Sequence, residues 1–189
     1  MYSKSNKKEV QNEITKGIKN ISSNLMTDIY QGIIGIEFIN KKERVKLFPA
    51  VLELFKHPDR WCKKMALRGF AAINNRKGRD LIIDLLNDPE TRKGKGAHSL
   101  QEVAIISLGK YYDKKAFNYL KRLFTINFPR ESFKEKRKLA ILKSFAEMAI
   151  YYDDALNALK YYSEIEEYKD FCNEELVYIS EEREYLKSG

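Results

Sequence analysis

Cys62-Lys63-Lys64-Met65-Ala66-Leu67-Arg68-Gly69-Phe70-Ala71-Ala72-Ile73 is the stretch that decides how the chain is read. Within it Cys62, Met65, Ala66, Gly69, Phe70 and Ile73 recur at i, i+3, i+4, i+7, i+8 and i+11, the spacing of one face of an α-helix. The same template fits Leu100, Val103, Ala104, Ser107, Leu108 and Tyr111 without a gap. It fits Ala140, Ile141, Ser144, Phe145 and Met148 with Arg137 in the first position, and a degenerate copy has Gly32, Gly35, Ile36 and Ile39. The i+7 position is small each time: Gly35, Gly69, Ser107 and Ser144, separated by 34, 38 and 37 residues. A glycine inside a helix costs roughly 1 kcal/mol against alanine. That cost is tolerable where two helices approach closely, which stacked repeats require.

Each copy is followed by a polar turn and a second helical stripe. These stripes are Val45, Phe48, Leu52 and Phe55; Leu81, Ile82, Leu85 and Leu86; Phe117, Leu120, Leu123 and Phe124; and Leu156, Leu159 and Tyr162. The turns hold breakers such as Asn40-Lys41-Lys42 and Asn74-Asn75-Arg76-Lys77-Gly78, and Tyr-Tyr-Asp occurs at 111–113 and again at 151–153. Ser99 with Glu102 and Ser132 with Glu135 have capping-box spacing, while Pro58, Pro89 and Pro129 punctuate the joints. Alternating apolar runs of the kind a half-buried strand needs are absent. At the ends, Val10, Ile14, Ile18, Ile21 and Leu25 form one stripe, and Ile165, Tyr168, Cys172, Leu176, Ile179 and Leu186 form another. Helices polar on their remaining faces suit the terminal caps of a repeat array.

The expected fold is therefore all-α, a right-handed α-solenoid of about four two-helix repeats with helical caps, in one domain spanning 1–189. The N-terminal cap covers 1–27, the repeats 28–57, 58–90, 98–128 and 132–163, and an acidic C-terminal cap 164–189. In this register the chain resembles the HEAT-repeat family, one of the armadillo-type α-solenoids, over roughly residues 28–162. The resemblance is carried by His57-Pro58-Asp59-Arg60-Trp61-Cys62-Lys63-Lys64-Met65-Ala66-Leu67, by Val103-Ala104-Ile105-Ile106-Ser107-Leu108-Gly109-Lys110-Tyr111, and by the second helix and joint at 81–89. It implies a curved surface for binding proteins or, in some members, nucleic acid. A catalytic branch, the HEAT-like DNA glycosylases, uses Trp and Asp around an alkylated base. Asp59, Trp61 and Lys64 loosely resemble one of its motifs, but the chain has a single Trp and the second aromatic-and-acid motif is not recognisable.

Composition bounds the function. The chain has 189 residues, 33% of them charged, a net charge of +8 and two cysteines without metal or disulfide spacing. No apolar run reaches the ~18 residues of a membrane span, and the polar start has no secretory pattern. A cytoplasmic protein is expected, without membrane, cofactor, metal or small-molecule substrate. His57 and His98 lie in inter-repeat joints without ligand spacing, and no catalytic constellation stands out, so the chain is read as a non-enzyme. The basic, glycine-containing stretch Arg92–Ser99 lacks the spacing of a phosphate-binding loop and reads as a connection between repeats.

Charge is placed unevenly: residues 160–189 hold nine acids and four bases, leaving +13 on the rest. The turns within repeats carry Lys41, Lys42 and Arg44; then Arg76, Lys77 and Arg79; then Lys114 and Lys115. The fourth turn has Asp153 and Asp154 instead. A second basic group comprises Lys121, Arg122, Arg130, Lys134, Lys136, Arg137 and Lys138. The expected function is a scaffold that binds an acidic protein surface through these residues. The alternative is a nucleic-acid-binding solenoid, whose affinity would come from phosphates and fall steeply with salt.

Overall fold

The computed structural model describes residues 4–92, 99–126 and 134–188. Among them the chain is all-helical, with ten α-helices, short 3-10 turns and no β-strand. None of these helices is long and apolar enough to cross a membrane. Two compact units are formed, Met1–Leu85 and Leu86–Gly189.

The N-terminal unit contains α1 (Lys4–Ile21), α2 (Met26–Gly35), α3 (Phe48–Lys56), α4 (Arg60–Ile73) and most of α5 (Arg76–Asn87). Two 3-10 turns, Ile36–Phe38 and Arg44–Leu47, join α2 to α3. Every position of the quoted template is buried in α4, and Phe70 is enclosed by Phe48 and Phe55 at ring-centroid distances of 5.5 and 5.4 Å. Gly69 is a true point of close approach, because a Cβ there would lie 2.9 Å from Ile33 of α2 and 2.9 Å from Val51 of α3. Asp59 starts α4 by accepting from the backbone N–H groups of Trp61 (2.6 Å) and Cys62 (3.1 Å). Asn74 ends it in the left-handed conformation, φ 54°, which asparagine tolerates better than most residues.

The C-terminal unit contains α6 (Leu100–Gly109), α7 (Lys114–Thr125), α8 (Lys134–Ala149), α9 (Asp153–Ser163) and α10 (Lys169–Ser188). Ser99 caps α6 by accepting from Glu102 N–H, as its spacing predicts, and Asp113 caps α7 through Ala116 N–H. Ser132, Pro129, Arg130, His98 and most of the 92–99 connection lie outside the described residues. The core gathers Val103, Leu108, Phe117, Leu120, Ile141, Phe145 and Leu159, and an aromatic cluster links Phe124, Tyr162 and Tyr168. In the three tyrosine pairs, Tyr111 and Tyr162 are buried, while Tyr151 and Tyr161 are exposed and Tyr112 and Tyr152 are half-buried.

Several expected faces shift. Gly35 meets no atom within 4 Å; the close approach belongs to Gly32, where a Cβ would lie 2.9 Å from both Asn20 and Ile21 of α1. In α3 and the 3-10 turn before it the buried set is Leu47, Val51 and Leu54, whereas Val45 is exposed, because that turn rotates the stripe by about one residue. Ile18, Leu25 and Leu186 also face solvent rather than completing the cap stripes. Beside Ser144 the nearest small residue is Gly109.

Candidate anion-binding surface

The residue chemistry of the basic turns is set by which cations are spent internally. Asn40 builds the first turn: its side-chain oxygen accepts from Lys42 N–H at 3.1 Å, and its carbonyl from Glu43 N–H at 2.8 Å. Lys41 and Lys42 are thereby held on an exposed corner. Arg44 turns inward instead. Its guanidinium donates to the carbonyls of Ile39 (2.7 Å), Glu37 (2.6 Å) and Ala72 (3.0 Å). Carbonyls at helix ends have no intrahelical partner and carry partial negative charge, and the planar five-donor fork of arginine suits several of them at once. Arg44 thus acts as a staple between these main-chain carbonyls.

The second basic turn begins two residues beyond Ala72. Asn75 accepts from Gly78 N–H at 2.7 Å and opens α5 with a neutral cap, so Arg76 and Lys77 project from its first turn, both exposed. Two cations there oppose the helix dipole, at roughly 0.3–1 kcal/mol each, and concentrate positive potential at one spot. Arg79 is drawn down to Asp80 at 3.0 Å, its side chain only 12% exposed. Because Arg44 bonds Ile39 on one side and Ala72 on the other, the turn bearing Lys41 and Lys42 is tied to the end of α4 that leads into Arg76 and Lys77. The whole net charge of the protein resides in this unit: residues 1–85 hold 17 Lys and Arg against 9 Asp and Glu, whereas residues 86–189 hold 18 of each.

In the C-terminal unit the candidates divide differently. Lys114 and Lys115 are exposed in the first turn of α7, next to its anionic cap Asp113. Lys121 is exposed, and Arg122 lies over the Tyr119 ring, 5.3 Å from its centroid, while the Tyr119 hydroxyl donates to Asn87 at 2.9 Å. Arg137 is not a surface cation: it is buried, and donates to the carbonyls of Leu123 and Ile126 at the end of α7. Lys138 is half-buried, donating to the Tyr168 hydroxyl at 2.6 Å above the rings of Phe124 and Tyr168. Burial, reinforced by Glu167, pushes the Tyr168 phenol well up, so it stays protonated. Arg183 repeats the staple pattern, donating to Ala149 at the end of α8 (2.7 Å) and to Asp153 (2.8 Å). No spacing signal in the sequence marks these staples, because their carbonyl acceptors are main-chain atoms that every residue carries.

Of the residues tied to the catalytic alternative, Asp59 has a structural occupation. Asp59 is committed to capping α4, and His57 Nδ1 accepts from Asp59 N–H at 3.1 Å. Among the described residues no group of three or more His, Cys, Asp and Glu is placed to hold a metal ion. Compared with known proteins, the chain matches no family model and no curated sequence.

Proposed function

We propose that the protein is a non-catalytic binding scaffold, an α-solenoid of about four HEAT-like repeats, which docks an acidic protein surface through the two basic turns of its N-terminal unit. The observation that carries this reading is the Arg44 staple. It spends one cation on holding the turns together and leaves Lys41, Lys42, Arg76 and Lys77 exposed on them. The excess of positive charge in the same unit supports long-range attraction of an anionic partner, which speeds encounter more than it tightens the complex. The close helix contacts at Gly69 and Gly109 support repeat stacking.

The reading is tested with the full chain and an acidic polyglutamate peptide, set beside random duplex DNA and RNA, across a salt series. Binding of the acidic peptide that weakens with salt, and is lost when Lys41, Lys42, Arg76 and Lys77 are all changed to Glu, supports it. Tighter binding to the nucleic acids, with the steep salt slope of phosphate contacts, replaces it with the nucleic-acid reading. Binding to none of the three at about 50 mM salt overturns both.

A further inference from the structure

The outer face of α2 and of the 3-10 turn that follows it is an apolar stripe. Met26, Tyr30, Ile34 and Phe38 follow one another at four-residue steps and are all exposed, Phe38 at 83%. The opposite face, Ile29, Gly32, Ile33 and Ile36, is buried in the unit's core. Single exposed apolar side chains are ordinary, whereas a continuous row of four is the signature of a covered surface. Phe38 also borders a concavity of about 250 Å³ together with Lys16, Asn20, Gln31 and Gly35. Lys16 is exposed there, and Lys41 and Lys42 are exposed three and four residues beyond Phe38; the acids nearby are Glu13, Asp28, Glu37 and Glu43, of which Asp28 accepts from Ser23 and Glu43 pairs with Lys46.

A helix of matching chemistry exists in the same chain. The outer face of α10 carries Val177, Tyr178 and Tyr185, all exposed, the last at 76%, interleaved with exposed Glu174, Glu181 and Glu184. Its inner face, Cys172 and Ile179, is buried. The seven residues from Tyr178 to Tyr185 span about 10 Å of helix and the eight from Tyr30 to Phe38 about 12 Å, so the two apolar rows are commensurate. Their charges are complementary: α10 holds six acids and three bases, against a strongly basic N-terminal unit.

We infer that α10 of one copy lies along the α2 stripe of a second copy, placing its tyrosines on Tyr30, Ile34 and Phe38 and its glutamates toward Lys16, Lys41 and Lys42. The contact is heterologous, joining two different surfaces, so each copy keeps one unused face and the pair keeps one of each kind. This goes beyond the docking of an acidic protein, which the basic turns can perform in the absence of self-association.

Sedimentation equilibrium of the full chain tests it. The mass should rise above the 22.2 kDa of one chain with concentration at about 0.15 M salt and fall back toward it at about 1 M. Two surface variants are compared, Ile34→Ser with Phe38→Ser, and Tyr178→Ser with Glu181→Lys and Glu184→Lys, their folding checked by circular dichroism. Each alone should be monomeric, and an equimolar mixture should form a dimer and nothing larger, because one intact face of each kind remains. A wild type that stays monomeric at every concentration overturns the proposal. So does association unaffected by either variant, a mixture that fails to restore the dimer, or an α10 variant that still associates by itself, which would indicate α2 packing on α2. Polyglutamate binding by the α10 variant reports separately on the basic turns.

Discussion

Gly109 and Ser144 hold α6 and α8 at a distance that only a missing side chain allows. A Cβ on Gly109 would lie 2.7 Å from the serine Cβ and 3.0 Å from its Cα, and the one hydroxyl proton of the serine is shared between the carbonyls of Ala140 (2.9 Å) and Ile105 (3.1 Å). The neighbour that would have to yield is backbone as well as side chain, so the two helices themselves would separate.

Gly109→Ala should therefore destabilise the protein by about 1–3 kcal/mol, the usual cost of overpacking, with less than the full helix-propensity gain to offset it at a helix end. Gly35→Ala is the matched comparison. Its backbone is in the ordinary helical region, φ −56°, and no atom lies within 4 Å of a Cβ there. That substitution should leave stability unchanged or raise it by up to about 1 kcal/mol. The urea unfolding midpoint should fall for Gly109→Ala and hold or rise for Gly35→Ala.

Arg137→Met should cost about 3 kcal/mol. It orphans the carbonyls of Leu123 and Ile126 at the end of α7, each worth roughly 1–3 kcal/mol when left unsatisfied, and regains part of that by removing a buried charge. Arg137→Lys should recover only a fraction, since a single ammonium does not reproduce the fork. Unfolding midpoints ranked wild type, Lys, Met would bear this out; a Met variant as stable as wild type would mean the two carbonyls find other donors.

These two positions show how far the sequence could be read. Periodicity exposes the helices because burial repeats every turn, and the template positions of α4 are all buried as it predicts. Register at close quarters is another matter. Gly32 and Gly35 are equivalent by spacing, and which of them meets α1 depends on the path of the chain through residues 22–25, which periodicity does not encode. Charge was legible only as a sum. Arg44, Arg137 and Arg183 satisfy main-chain carbonyls 34 or fewer residues away, acceptors that every residue offers and none advertises. The exposure of Lys41, Lys42, Arg76 and Lys77 was legible because turns expose their residues whatever the tertiary path.

Stability should fall at alkaline pH. Burial, with a contribution from Glu175, pushes the Cys172 thiol up to about 11, and burial likewise raises the phenols of Tyr162 and Tyr168. In the unfolded chain a thiol ionises near pH ~8.5 and a phenol near ~10, so the unfolded state releases protons first. The stabilisation is complete below about pH 8.5 and is lost as pH rises toward the folded values, with Cys172 contributing about 3 kcal/mol of the loss by pH ~11. Urea midpoints measured from pH 7 to 11 should decline above pH ~8.5, and Cys172→Ala should flatten the decline. In the native protein at neutral pH, Cys172 should also resist alkylation, since only its thiolate reacts.

The last prediction separates a staple from a contact. Arg44 and Lys42 are two residues apart and equally basic in sequence, yet one holds three carbonyls and the other faces solvent. Arg44→Gln should lower stability by about 2 kcal/mol through the loss of charge-assisted hydrogen bonds. It should also loosen the tie between the 40–43 turn and the end of α4, so binding of polyglutamate weakens because its four cations are no longer held together. Lys42→Gln should leave the unfolding midpoint within ~0.5 kcal/mol of wild type, as surface substitutions do, and weaken binding through charge alone. The two losses differ in how they respond to salt. Removing Lys42 takes away a screened attraction, so the variant and wild type should converge as salt rises. Removing Arg44 disrupts geometry, so its deficit in stability should persist at high salt. If the Arg44 variant unfolds at the wild-type midpoint, the staple is not what holds the two basic turns together.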